Sequence, residues 1–253
     1  MTPGEFLLVA LAGVAAGAIN TVVGSGTLIT FPTLLAFGVP PVTANVSNTI
    51  GLVPGSVTGA VGYRSELRGA GSLVRRLAGA SLIGGLGGGL LLIWKPGAFE
   101  SIVPFLVALG IVLVATGPRI SAWVARRHAD TGGLPESGAW WVWPAMLACG
   151  VYGGYFGAAQ GVLMMAVLGA GVPHTLQRLN GVKNILAALV NAVAGLLFVL
   201  VAEVDWRVVL VIGAGSVLGG VLGASVGRRL SDVALRVIII VVGCSALAVF
   251  LFG

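Results

Sequence analysis

The sequence predicts an all-α polytopic membrane protein built from two inverted-topology repeats. Three observations support this prediction: the composition, the lengths of the apolar runs, and a motif of the first half that recurs in the second. Of the 253 residues, 57% are hydrophobic and only 9% are charged, whereas soluble domains have about 25% charged residues. We therefore expect the lipid bilayer to be the main partner of this chain.

The apolar runs predict about eight long transmembrane helices, because each run approaches or exceeds the roughly 18 residues that read as a span. These runs cover residues 6–23, 43–63, 77–93, 101–118, 139–156, 175–201, 208–227 and 233–252. Two shorter runs, 27–37 and 162–170, would each cross about half of a ~30 Å hydrocarbon core. The sequence thus predicts two additional half-length segments, either re-entrant or part of a broken crossing.

The basic residues predict the orientation, because cytoplasmic loops of membrane proteins are enriched in Lys and Arg. Three loops hold ten of the fourteen basic residues: Arg64, Arg68, Arg75 and Arg76; Arg119, Arg126 and Arg127; and Arg228, Arg229 and Arg236. With these loops inside, the N-terminus lies outside. We expect a first repeat at 1–118, a cytoplasmic linker at 119–138 and an oppositely oriented second repeat at 139–253.

The repeat is also visible as a motif. The segment AFGVPPVTANVSN begins at residue 36 and GAGVPHTLQRLNG begins at residue 169, an offset of 133 residues. A glycine-marked break precedes the half-length segment in each half, at 24–26 and at 157–161. Small residues at four-residue spacing let helices approach closely in lipid. They predict packing seams at Gly215, Gly219, Gly223 and Gly227, at Gly51, Gly55 and Gly59, and at Ala80, Gly84 and Gly88.

The two breaks are the predicted binding site, because broken backbone at membrane depth persists only where it faces protein or a watery cavity. A half-helix N-terminus has positive dipole character and suits an anion. The candidate residues are Ser25, Gly26 and Thr27 at the first break, and Gln160 and Gly161 at the second. Inverted symmetry would bring the two N-termini together near the centre of the bilayer. The alternative is that these glycines only bend helices.

Polar residues after the two GVP turns extend the candidate site. Asn45, Ser47 and Asn48 follow the first turn, and Asn180, Lys183 and Asn184 share one helix face after the second. A lysine within a span costs at least ~2.5 kcal/mol on insertion scales, which makes it a functional candidate. The alternative is that Lys183 snorkels or contacts helix carbonyl groups.

The residues missing from the predicted spans argue against several functions. No Asp or Glu lies well inside a span, which argues against a cation carrier or an acidic proton relay. The chain has no hydrolase motif, catalytic residue set or metal-ligand cluster, and no basic stripe suited to nucleic acid. We expect a protein that is not an enzyme and has no cofactor.

These motifs resemble the TauE/SafE sulfite exporter family of membrane permeases. The resemblance rests on GAINTVVGSGTLITFPTLLAFGVPP, on the following ANVSNTIGL, and on their second-half counterparts GGYFGAAQGVLMMAVLGAGVP and RLNGVKNILAALVNAVAGLLF. It implies a bacterial inner-membrane permease for a small sulfur-containing anion such as sulfite, sulfoacetate or another organosulfonate, often moved outward. Ser25 and the run 158–160 stand where the family more often has glycine.

The sequence-based hypothesis is an anion permease in which the half-helix N-termini and the Asn180, Lys183, Asn184 face coordinate an oxyanion. One repeat would rock against the other to expose the site alternately. The alternative is a passive anion channel, which would need a continuous wet pore. A third hypothesis is a membrane scaffold that does not transport. The sequence also leaves open whether the protein forms a homo-oligomer.

Overall fold

The computed structural model describes residues 1–225 and, beyond them, residues 237, 239–242, 244, 245 and 247. Residues 1–225 form helices and connecting turns without any strand. The helices are α1 Pro3–Val22, α2 Thr27–Ala36, α3 Pro41–Gly62, α4 Gly71–Trp94, α5 Pro96–Ala115, α6 Gly117–Ala129, α7 Val142–Tyr155, α8 Gln160–Gly171, α9 Leu176–Val201 and α10 Trp206–Ser225, with a 3₁₀ turn at Asp130–Gly133.

Five helices of the described part are long and apolar enough to cross a membrane: α1, α4, α5, α9 and α10. Helix α3 has 22 residues, but buried polar side chains lower its hydropathy. Helix α7 has only 14 residues, fewer than the predicted run 139–156. The predicted span 233–252 lies largely outside the described residues. The count of about eight long helices and the inverted topology of the repeats therefore stay predictions.

Both half-length helices occur where the sequence predicted them. Helix α2 has 10 residues and α8 has 12, so each is about 15 to 18 Å long at 1.5 Å per residue. Each begins at a glycine-marked break and ends at a GVP turn, α2 two residues before Gly38 and α8 at Gly171 itself. These lengths are about half of a ~30 Å hydrocarbon core, and neither helix could cross it alone.

Glycine seams hold the long helices together, as predicted. Helix α10 packs between α1 and α3, while α4 packs against α7 and α9. A Cβ atom added to Gly219 would overlap the Val14 carbonyl, and one added to Gly88 would overlap the Val151 carbonyl. The helices thus approach to backbone contact, which only small residues permit. Gly227 lies outside the described residues.

The predicted linker 119–138 is largely helical. Helix α6 covers its first half, and its buried Val124 packs against Gly169 near the end of α8. The His128 ring nitrogen Nδ1 lies 3.0 Å from the carbonyl oxygen of Gly169. Because a carbonyl oxygen only accepts, Nδ1 donates here. The linker is thus attached to the second half of the chain through α8.

Substitutions at two neighbouring glycines of α4, Gly87 and Gly88, would test the packing seam between α4 and α7. We expect Gly88→Val to destabilise the protein by roughly 1 to 3 kcal/mol, since the new side chain overlaps the backbone of α7. Gly87→Val is the matched control, because nothing lies within 4 Å of a Cβ at Gly87. Thermal unfolding in detergent, followed by size-exclusion chromatography, would measure both. Equal melting temperatures for the two variants would contradict this packing.

Candidate functional site

The two breaks share one local geometry. At the first, the N–H groups of Val23 and Gly24 both donate to the Ile19 carbonyl, and Gly24 has φ +85°. At the second, the N–H groups of Phe156 and Gly157 both donate to the Tyr152 carbonyl, and Gly157 has φ +78°. A left-handed glycine that ends a helix satisfies carbonyl groups that would otherwise lack donors. Equivalent positions in the two halves therefore end α1 and α7 in the same way.

The breaks contact each other, as the sequence analysis predicted. The N–H of Gly161 donates to the carbonyl oxygen of Gly24 at 3.0 Å, and a Cβ atom on either glycine would overlap the other. We call this contact the crossing. The expectation of free N–H groups at the start of α8 is wrong in this conformation. Those of Gln160, Gly161 and Val162 are all bonded to backbone carbonyls, because the tight turn and the opposite break supply acceptors at close range.

The polar face of α9 lies against the end of α1. The Nζ atom of Lys183 donates to the carbonyl oxygens of Asn20, at 3.1 Å, and Thr21, at 3.3 Å. The Nδ2 atoms of Asn180 and Asn184 donate to the same Thr21 oxygen at 3.2 and 3.3 Å. Carbonyl groups at a helix C-terminus lack intrahelical donors and attract cations. Lys183 therefore contacts helix carbonyl groups, which was the alternative reading from sequence, and does so at the crossing.

A small cavity surrounds the crossing. Its volume is about 20 Å³, which is enough for about one water molecule. Among the predicted site residues, it is lined by Thr27, Gln160, Gly161, Lys183 and Asn184. It is also lined by four polar residues outside the predicted set: Asn20, Thr49, Ser56 and Asn191. The position of Asn20, four residues before Gly24 at the first break, could have indicated from sequence that it belongs to the site.

Three predicted residues lie around the start of α2, at the first break. The Asn20 Oδ1 atom accepts a hydrogen bond from the Gly26 N–H at 2.7 Å. Asn48 accepts from the Thr30 hydroxyl and donates to Thr27 Oγ1 at 3.4 Å. Ser25 is fully buried, and its hydroxyl has no hydrogen-bond partner among the described residues. Gly26, Ser25 and Asn48 thus surround the start of α2 without lining the crossing cavity.

Asn45, Ser47 and Asn180 do not line that cavity. Asn45 donates to the Tyr155 carbonyl at 3.0 Å at the end of α7, and Ser47 accepts from the Asp205 N–H at 2.9 Å. Asn180 lines a different cavity. Helix α3 is packed against α1, α9 and α10, so its polar side chains point towards different neighbours. The sequence could not assign a direction to each of them.

An aromatic cluster covers one side of the crossing. The buried rings of Phe31, Phe99 and Phe156 pack with centroid separations of 5.1 to 6.3 Å, and Tyr155 adds a further edge contact to Phe99. Phe156 also lines the crossing cavity. The cluster joins α2, α5 and the end of α7, so no single sequence pattern indicated it. It lies on the side of Lys95 and Glu100, which the charge pattern predicts to be outside.

A larger cavity approaches the crossing from the other side. This vestibule has a volume of about 330 Å³ and lies between the end of α1, α6, α8 and α9. Val23 and Val162 line it, whereas their neighbours Gly24 and Gly161 line the crossing cavity. Asn180 also lines the vestibule, and its Oδ1 atom has no partner among the described residues. A single layer of residues therefore separates the two cavities.

Arg178 and His174 lie near the vestibule side but outside the crossing. Arg178 Nε donates to the Glu66 carbonyl at 3.0 Å, which ties the start of α9 to the connection between α3 and α4. Burial lowers the pKa of His174, and the nearby Arg178 charge lowers it further, whereas Glu136 opposes the shift. These residues fasten two connections and are not part of the candidate site.

Lys183 is the only charged side chain among the buried polar residues of the described part. Its neighbours in the crossing cavity carry amide and hydroxyl groups, among them Thr27, Asn184 and Gln160. Burying a charge without a counter-charge is costly, so such a charge is usually paired. The residues that line the crossing cavity therefore include one basic side chain, several hydrogen-bond donors and no carboxylate.

Long apolar helices around a buried polar crossing of two broken helices define the class of this molecule: a multi-pass membrane transport protein. Comparison with known families agrees, because the family described as sulfite exporter TauE/SafE matches residues 9–251. The chain belongs to the TauE/SafE family.

Individual relatives are similarly described as transporters. The chain is 25% identical to a "Probable membrane transporter protein" of Haemophilus influenzae over 233 residues, which cover 90% of this chain and 88% of that protein. It is 27% identical over 221 residues to the "Probable membrane transporter protein YfcA" of Escherichia coli K12, covering 85% of this chain and 76% of YfcA. No solved structure matches the chain.

Proposed function

We propose that this protein is an alternating-access permease that exports a small sulfur-containing oxyanion, such as sulfite, sulfoacetate or another organosulfonate. The observation that carries the proposal is the basic side chain of Lys183, which is fully buried beside the crossing of the two broken helices, with no acidic side chain among the residues that line its cavity. An anion would supply the counter-charge that the described residues around Lys183 lack.

The donors around Lys183 suit an oxyanion. The ammonium group has three N–H bonds, and two of them are used on Asn20 and Thr21. The third, the Thr27 hydroxyl hydrogen and the amide groups of Gln160 and Asn184 are donors at the same cavity. Charge-assisted hydrogen bonds are the strongest that such a group makes with oxygen. We assign Lys183 the central role, with Thr27, Gln160 and Asn184 as its partners.

In the proposed cycle, this conformation is closed to the outside and partly open to the cytoplasm. The crossing cavity is too small for an oxyanion, the aromatic cluster covers it on the predicted outer side, and the vestibule approaches it from the other. We infer that the repeats 1–118 and 139–253 move about the segment 119–138, with the N-terminus outside a bacterial inner membrane. Transport would involve no covalent step, so we infer no enzymatic activity.

A passive channel is less well supported than a carrier. A channel needs a continuous wet path, whereas space for about one water remains at the crossing and a residue layer separates it from the vestibule. A carrier needs such a closed state in every cycle. The two mechanisms differ in a measurable property, because only a carrier exchanges labelled for unlabelled substrate through a site that is exposed alternately.

The test is counterflow of radiolabelled sulfite into proteoliposomes loaded with unlabelled sulfite, performed without oxygen because sulfite oxidises to sulfate. We expect saturable uptake that is stimulated by the internal substrate and inhibited by sulfoacetate and other organosulfonates. Protein-free liposomes are the control. Saturable counterflow for an organosulfonate but not for sulfite would move the substrate within the same class. Linear, unstimulated flux would indicate a channel, and no flux across the panel would reject transport of these anions.

A further inference from the structure

One face of α6 is rich in arginine, and the contacts among the described residues do not account for it. Arg119, Trp123, Arg126 and Arg127 are all exposed, and Trp123 is 40% accessible. Their spacing of four, three and one residues places all four on one face of the helix. We call these four residues the arginine face.

The opposite face fixes the direction of the arginine face. Val124 is buried against Gly169, and His128 donates to the Gly169 carbonyl at 3.0 Å. Because both contacts lie on the side of α6 that faces α8, the helix cannot rotate without losing them. The arginine face is therefore held outward.

The arginine face forms no ion pair within the described part of the chain, and Asp130, the nearest acidic residue in sequence, lies just beyond the end of α6. No Asp or Glu occurs within α6 itself. The guanidinium of Arg127 lies 5.9 Å from the centre of the Trp123 ring. Arginine beside tryptophan on an amphipathic helix is typical of the boundary between lipid headgroups and water.

The position of α6 in the chain supports a location at the boundary between lipid headgroups and water. Only Thr116 separates it from α5, a 20-residue helix that is long and apolar enough to cross a membrane. Helix α6 thus begins where a spanning helix ends. We propose that the arginine face of α6 binds the anionic headgroups of phospholipids. Each arginine near an anionic surface contributes about a fivefold gain in affinity, so three give a gain on the order of a hundredfold.

Lipid binding at this face would also stabilise one wall of the vestibule. Gly117, Ile120, Ser121 and Val124 of α6 line the vestibule from the side opposite the arginines. Headgroups that hold the arginine face would keep α6, and with it the end of α8, at the membrane surface. This consequence for transport rests on the proposed permease function, whereas the lipid binding itself does not.

The binding test uses the full chain in detergent, titrated with phosphatidylglycerol or phosphatidylcholine and observed by native mass spectrometry. The variant is Arg119→Gln, Arg126→Gln, Arg127→Gln. The matched control is Arg64→Gln, Arg68→Gln, Arg75→Gln, which removes three exposed arginines from the α3–α4 connection and the start of α4. We expect preferential binding of phosphatidylglycerol that falls by tens of times or more in the α6 variant and persists in the control.

Three outcomes would overturn the proposal: no preference for the anionic lipid, equal losses in both triple variants, or full competition by inorganic phosphate, which would indicate a site for the free ion. Flux is read separately, in liposomes with and without phosphatidylglycerol. Lipid preference without flux of sulfite or of any organosulfonate in the intact protein would reject the proposed function while leaving the lipid site in place.

Discussion

Replacing Lys183 with glutamine is expected to reduce sulfite counterflow roughly 10- to 100-fold, because a hydrogen bond to a charged group is worth about 1.5 to 3 kcal/mol. Glutamine keeps an N–H donor for the carbonyls of Asn20 and Thr21, which now bond to Lys183. It removes the positive charge that Lys183 can carry, together with one N–H bond, and places the amide about one bond length nearer the backbone of α9. Counterflow and sulfite binding, measured on protein that elutes as a single folded species, would check this expectation.

The matched control for Lys183→Gln is Lys95→Gln, because these are the two lysines of the chain. Lys95 is exposed and lies over the ring of Trp94, at the opposite end of α4 from the vestibule. We expect it to leave transport unchanged. If Lys183→Gln folds and transports as well as the control, Lys183 serves only to cap α1, and the proposed anion site is wrong.

The sequence predicted the parts of the site that depend on local pattern. The glycine breaks at 24–26 and 157–161 marked both half-length helices, since glycine ends helices through left-handed backbone. The spacing of Asn180, Lys183 and Asn184 marked one helix face, and all three now donate to the Thr21 carbonyl. Repetition of the motif further predicted that the two breaks would meet.

The parts that the sequence missed depend on which distant surface a side chain meets. Asn45 and Ser47 lie two residues apart on α3 and bond to α7 and to the connection before α10, respectively. Helix α3 is surrounded by other helices, so its polar residues have no single preferred direction. The aromatic cluster combines rings from three separate segments. Neither arrangement has a periodic signal within one stretch of chain.

The second large effect on stability and transport is expected for Gly24→Ala, because this substitution would separate the two breaks. Gly24 has φ +85°, and a Cβ atom there would overlap the backbone of Gly161. The substitution would therefore break the hydrogen bond from Gly161 to Gly24 as well as strain the backbone. Left-handed strain of about 1 kcal/mol and overpacking of about 1 to 3 kcal/mol add to a loss of roughly 2 to 4 kcal/mol. We expect a large fall in melting temperature and loss of counterflow.

Gly38→Ala separates these two causes. Gly38 has a similar φ of +76°, but nothing lies within 4 Å of a Cβ atom at that position. It should therefore show the backbone strain alone, with transport retained. If the two variants unfold at the same temperature and transport equally, the close contact between the breaks makes no contribution. A much larger effect at Gly24 would mean that the protein depends on backbone contact at the crossing, where a larger residue at either break cannot be accommodated.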